Sequence, residues 1–169
     1  VSLGEAISTL QAKQFFRAGV RIFDSSLDSI RRTLVGSSGR ATLTGQGGDD
    51  IIIMGGANDE IAGGAGHDTF QINAATDISD GINLSGGDGT DTLLVNSTDI
   101  STLSFPRNND FGGTQIATTE TFDLRGGSDG GVTVSIATDD LDSFSTIIGD
   151  GTSDILNLFA GSTLDLRDK

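Results

Sequence analysis

The sequence predicts an all-β protein: a right-handed parallel β-roll or β-helix solenoid with a small N-terminal helical segment. Three observations carry this. Nine-residue units follow one another without a gap from Gly45 to Gln71, with Asp at the same place in each. Glycine fills 25 of 169 positions and proline one, which suits a backbone of tight turns rather than an extended Pro-rich linker. Between further glycine turns in the second half lie short runs rich in Ile, Val, Leu, Phe and Thr, the residues that favour strands.

Residues 1–35 read differently from the rest. Glu5 to Ala18 has Ile7, Leu10 and Phe15 among its apolar residues and Gly19 where a helix-ending glycine belongs, so it is expected to be a helix. Val20 to Phe23 reads as a short strand. Ser26 is placed to cap a second short helix carrying Leu27, Ile30 and Leu34 at helical spacing. The segment is expected either to cover the end of the solenoid or to belong to a preceding unit. The chain opens on Val1, which reads as a processed product or a piece of something larger.

Residues 36–94 hold the repeats. The three regular units are Gly45–Ile53, Met54–Ala62 and Gly63–Gln71; each has Asp at position six (Asp50, Asp59, Asp68) and Ile52, Ile61 or Phe70 at position eight. The preceding nine residues keep Gly36, Gly39 and Leu43 but have Ala41 at position six, and the following nine keep Asp77 and little else. The pattern returns out of phase at Gly86–Leu94, with Asp91 and Leu93 in place.

Residues 95–169 are expected to continue the solenoid less regularly, in longer coils. Gly149–Asn157 fits the template with one glycine missing and with Asp154 at position six, whereas Gly126–Gly131 is a glycine turn without that Asp. Strand-like pieces lie at Gln115–Ile116, Thr121–Leu124, Val132–Ile136, Thr146–Ile148 and Ile155–Phe159, and Asn108–Gly113 reads as an exposed loop.

A unit of six turn residues and three strand residues makes half a coil, so two units close one. Side chains alternate along a strand, which turns position eight inward. Ile52 is then expected to stack on Phe70, and Leu43 on Ile61 across the coil. Glycine at positions one, two and four permits the positive-φ turns that aim carbonyls in one direction. Stacked turns of this kind present carbonyl oxygens and one carboxylate each, the hard oxygens that calcium takes six to eight at a time. Asp50 is expected to share an ion with Asp68, and Asp59 with Asp77. The other neighbour of Asp59 is Ala41, so that side lacks a carboxylate. A lone Gly-Gly-x-x-Asp cluster is equally an ordinary metal-free turn; contiguity and common phase distinguish this series. The single histidine, His67, falls at a variable turn position and reads as a loop residue, not a zinc ligand.

The charge agrees. Residues 1–40 carry six basic and three acidic residues, and residues 41–169 carry four basic and 21 acidic ones, within a formal net charge of −14. So acidic a body repels itself unless cations neutralise it, and it repels nucleic acid. There is no cysteine and hence no disulfide. No apolar run approaches the roughly 20 residues of a membrane helix.

The units resemble the nonapeptide of RTX (repeats-in-toxin) proteins, Gly-Gly-x-Gly-x-Asp-x-apolar-x. The resemblance implies bound Ca2+ held between turns 18 residues apart. One ion would contact Gln46, Gly48 and Asp50 with Gly63, Ala65 and Asp68. A second would use Gly55, Ala57 and Asp59 with Ile72, Ala74 and Asp77. A third, across an insertion, would pair Gly64, Gly66 and Asp68 with Gly86, Asp88 and Asp91; Asp154 marks a further isolated turn. Gly131–Ala137 followed by Ser145–Gly151 resembles the irregular coils of large adhesins and S-layer-like proteins, and residues 5–24 resemble helical inserts of such proteins. The resemblance further implies type I secretion and folding on calcium outside the cell. The expected function is therefore a non-enzymatic extracellular structural module, its partners calcium ions and a polysaccharide, a cell surface or copies of itself. The alternative is an accessory module of a secreted polysaccharide-modifying enzyme or metalloprotease, with Arg107 or Arg125 gripping a polysaccharide. Catalysis within this chain has no support: His-Glu-x-x-His and the phosphate loop are absent, and Pro106 follows Phe105, so the Asp-Pro bond cleaved in some RTX relatives is missing.

Overall fold

The computed structural model describes residues 14–15, 29–56, 59–78, 81–106, 114–150 and 153–159. The chain runs through strands β1 (Gln14–Phe15), β2 (Thr33–Val35), β3 (Thr42–Gly47), β4 (Ile51–Ile53), β5 (Asp59–Ala65) and β6 (Thr69–Ile72). A 3₁₀ turn at Ala75–Ile78 leads to β7 (Ile82–Asp88), β8 (Thr92–Asn96), β9 (Thr102–Ser104), β10 (Gln115–Ala117), β11 (Thr121–Gly126) and β12 (Thr133–Ile136). The short helix α1 (Thr138–Leu141), β13 (Thr146–Ile148) and β14 (Ile155–Leu158) complete it.

The strands form three sheets, ordered β1-β2-β4-β6-β8-β11-β13, β10-β7-β5-β3 and β14-β12-β9. Every pairing among the described residues is parallel. From β2 to β8 the chain passes alternately between the first and second sheets, so each strand lies beside the one two places earlier. The protein is thus an all-β, parallel-strand fold.

Alternation along the strands builds the core. Leu34, Ile52, Phe70, Leu93 and Phe122 lie in register on successive strands of the first sheet, and all are buried. Leu43, Ile61, Leu84 and Ile116 do the same in the second. The expected stacks of Ile52 on Phe70 and Leu43 on Ile61 are therefore present. Each such side chain contributes about 1.5–3 kcal/mol by leaving water. In the second half Phe105, Phe122 and Phe144 pack together, Phe105 edge-on to Phe122 at 5.9 Å and Phe144 stacked on it at 5.1 Å.

Three expectations need correcting. Leu34 does not end a helix; Thr33-Leu34-Val35 is strand β2, paired with Ile51–Ile53. Phe15, expected in a helix, lies in β1 opposite Val35. Burying Leu34 against Ile52 and pairing the ladder outweigh local helical spacing, and Thr33 and Val35 are β-branched. Residues 29–32, within the second expected helix, form a turn and irregular chain before β2, with Ile30 exposed. Apart from Gln14 in β1, the rest of both expected helices, with Val20–Phe23, lies outside the described residues, as does Asn108–Gly113. Finally, the glycine turns are not separate from the strands: β3, β5 and β7 run on through positions one to three of the repeat. The five strand-like pieces of the second half all fall on observed strands, β10 to β14. Among the described residues no helix is long and apolar enough to cross a membrane.

Candidate metal centre

The residue preceding β4, β6 and β8 in the first sheet is position six of the repeat, and Glu120 holds the same place before β11. Here the chain places Asp50, Asp68, Asp91 and Glu120 one above another. The main-chain amide of each residue donates to the carboxylate of the next: Asp50 N to Asp68 Oδ1, Asp68 N to Asp91 Oδ1 and Asp91 N to Glu120 Oε2, all at 2.8 Å. Asp50 Oδ1 in turn accepts from the amide of Arg32. The spacing changes from 18 to 23 to 29 residues while the contact stays the same. Glu120 lies outside the aspartate series that the nine-residue period marks. The signal was acid-Thr-apolar, shared by Asp68-Thr-Phe70, Asp91-Thr-Leu93 and Glu120-Thr-Phe122.

One oxygen of each Asp is thereby occupied. The other is not: Oδ2 of Asp50, Asp68 and Asp91 is buried with no hydrogen-bond partner. A buried anionic oxygen in that state is costly. Burial accordingly pushes Asp50 and Asp91 up to about 6, and Asp68 upward, against the hydrogen bonds from the amides.

Carbonyl oxygens gather on the same side. A Cβ on Gly45 would collide with both Asp50 Oδ2 and Gly63 O, and one on Gly63 with Asp68 Oδ2 and Gly86 O. Each position-one glycine thus leaves space where its own aspartate meets the carbonyl of the next level. Positions two and four have positive φ, at Gln46 (76°), Gly48 (91°), Gly64 (115°) and Gly66 (132°). Their carbonyls point along the stack: Gln46 O lies against Gly64, and Gly48 O is 2.6 Å from where a Cβ of Gly66 would be. At position three, Ala65 O and Asp88 O accept main-chain bonds from Gly48 N (2.8 Å) and Gly66 N (2.9 Å), leaving each a second lone pair.

The structure therefore brings together two of the three expected ligand sets. Gln46, Gly48 and Asp50 stack on Gly63, Ala65 and Asp68. Gly64, Gly66 and Asp68 stack on Gly86, Asp88 and Asp91, with Gly64 opposite Gly87 and Ala65 opposite Asp88 despite the insertion. Asp154 reproduces the turn on the third sheet: its Oδ1 accepts from Val132 N at 2.8 Å, and a Cβ on Gly149 would collide with its Oδ2.

The remaining set is not assembled as expected. Asp59 Oδ1 accepts from Ala41 N at 2.8 Å, and its Oδ2 is buried without a hydrogen-bond partner, which raises its pKa. The residue in register with Asp59 on the next strand is Ile82, not Asp77. Asp77 sits in the 3₁₀ turn, where its Oδ2 accepts from Asn73 N and Ala74 N, both at 2.9 Å. Ala74 O accepts from Asp77 N, and Ile72 belongs to β6 in the opposite sheet. The five residues added here make a loop closed upon its own aspartate. Gly55 lies close against Gly36 and Ser37; Ala57 lies outside the described residues.

His67 is exposed. Its amide donates to Asp49 Oδ1 at 2.8 Å and its Nδ1 accepts from Thr90 N at 3.0 Å, so it ties loops together. Among the described residues no three His, Cys, Asp or Glu side chains converge on one point. The turn donors are one carboxylate per level plus main-chain carbonyls, all hard oxygens. No protein-family model, curated protein or solved structure matches the chain.

Proposed function

We propose that the chain is a calcium-binding extracellular structural module without catalytic activity of its own, of the RTX kind. Its strands form a right-handed parallel β-roll that folds as Ca2+ enters the turn column. The observation that supports this best is the series of buried Oδ2 atoms of Asp50, Asp68 and Asp91, none with a hydrogen-bond partner and each beside a main-chain carbonyl, of Gly63, Gly86 and Thr118 in turn. Gln46, Gly48, Asp50, Gly63, Ala65 and Asp68 hold one ion; Gly64, Gly66, Asp68, Gly86, Asp88 and Asp91 hold the next. Bound calcium supplies positive charge and seven or so coordination positions, which suit this mixed set of carboxylates and carbonyls. The chain's part is to set those oxygens at equal levels and to keep water from them.

The net charge of −14 supports the same reading, because self-repulsion opposes folding without cations. For an extracellular affinity of about 10⁻⁴ M, millimolar calcium adds roughly 1.4 kcal/mol per site. Of the two arginines of the accessory-module alternative, Arg125 is paired with Asp123 at 2.7 Å and Arg107 lies outside the described residues.

Far-UV circular dichroism during a calcium titration of the chelated protein tests the proposal, with magnesium as control. A cooperative gain of β signal near millimolar calcium, not reproduced by magnesium, is expected. A spectrum already fully folded in chelator and unmoved by calcium overturns it.

A further inference from the structure

The position-six column has one more member, and it is a base. Arg32-Thr33-Leu34 aligns with Asp68-Thr69-Phe70, since Thr33 pairs with Ile51 and Ile51 with Thr69. The carbonyl of Arg32 accepts from Ile51 N at 2.8 Å, just as the Asp50 carbonyl accepts from Thr69 N at 2.8 Å. Arg32 therefore stands where the levels below carry an aspartate. Its guanidinium turns onto the next level: Nη1 donates to Gly45 O and lies 3.8 Å from Asp50 Oδ2, and Nη2 donates to Gln46 Oε1 at 3.4 Å. The Arg32 side chain is only 18% exposed.

Gly45 O is the position-one carbonyl of its level. Its counterparts lower down, Gly63 O and Gly86 O, face Asp50 Oδ2 and Asp68 Oδ2. We infer that Arg32 ends the ion column with a cation belonging to the chain: its guanidinium occupies the inter-level position that calcium takes between Asp50 and Asp68. This rests on the calcium reading above. A calcium ion at the Arg32 level would find a base where it needs an acid. The guanidinium meets the same carbonyl and carboxylate with a charge that neither titrates nor dissociates. The first level is thus set whatever the calcium concentration, and metal uptake starts one level down.

Calcium bound per folded chain, measured by equilibrium dialysis with elemental analysis, tests this on the wild type and three variants. Arg32→Asp is expected to bind one more ion than the wild type. Arg32→Lys, which keeps a cation, is expected to bind the wild-type number. Arg32→Asn, with a neutral oxygen ligand, is expected to gain the ion at weaker affinity, and it decides the matter if Arg32→Asp does not fold in saturating calcium. A folded Arg32→Asp, or in its absence Arg32→Asn, that binds the wild-type number overturns the inference and leaves the calcium reading intact. A wild type that binds no calcium removes both.

Discussion

At the scale of single residues, the aspartates of the column conflict with the protein around them when no metal is present. Asp68 belongs to two levels, accepting at Oδ1 from Asp50 N and keeping Oδ2 buried beside Gly63 and Gly86. Asp68→Asn removes a buried charge, so in chelator the variant is expected to be more stable than the wild type. In millimolar calcium the order reverses by about 3 kcal/mol, from two sites at roughly 1.4 kcal/mol each. Circular dichroism in chelator reads the first sign as residual β signal, and denaturant melts in millimolar calcium read the second. Glycine supplies the second residue-scale constraint. Gly64 has φ of 115° and its missing Cβ would strike Gln46 O, whereas Gly39 has nothing within 4 Å. Gly64→Ala is expected to cost 2 kcal/mol or more, on the order of αL strain plus a displaced carbonyl, and Gly39→Ala less than about 0.5 kcal/mol, both read by urea midpoints. These positions were legible in the sequence, because Gly and Asp recur at a fixed period. Glu120 and Arg32 were not, because they hold the same place with different chemistry.

At the scale of elements, strand-favouring residues between glycine turns located β10 to β14, but neither β2 nor β9. These two are identified by their partner strands, at Ile51–Ile53 and Thr133–Ser135. The helix α1 also lies below what pattern reading resolves. It holds Asp140, which is 6% exposed and whose Oδ1 accepts from Ile116 N at 3.1 Å, tying the helix to β10. Burial pushes Asp140 up to about 6. The folded state therefore binds its proton more tightly than the unfolded chain, where the group titrates near 3.8. Stability from this group is fully present below about pH 4 and is lost as pH rises through 6. Asp140→Asn keeps an acceptor without the charge. It is expected to raise stability at pH 7 by on the order of 2 kcal/mol, with the gain vanishing at pH 4. Chemical denaturation at the two pH values gives the comparison.

At the scale of the whole molecule, the all-β parallel character was legible from the repeat alone, since a nine-residue half-coil puts every second unit alongside the first. The departure of Asp77 from the register of Asp59 has the same origin. An 18-residue rule holds only while no residues are added, and between Ile72 and Ile82 they are. The Asp68 and Asp91 levels survive the same five added residues because these fall outside the Asp68 and Asp91 turns. Sharing of Asp68 between levels couples neighbouring sites, which is why the calcium-driven gain of β signal is expected to be cooperative rather than a sum of independent bindings.

The change in spacing along the column from 18 to 23 to 29 residues, with an unchanged 2.8 Å contact at every step, separates two properties of the chain. The column behaves as a ruler: its marks stay evenly placed while the thread between marks is free to lengthen. Sequence length can then drift, or foreign peptide be grafted, in the connection after Ile72 without moving a mark. A single residue added between Gly45 and Asp50 would shift one.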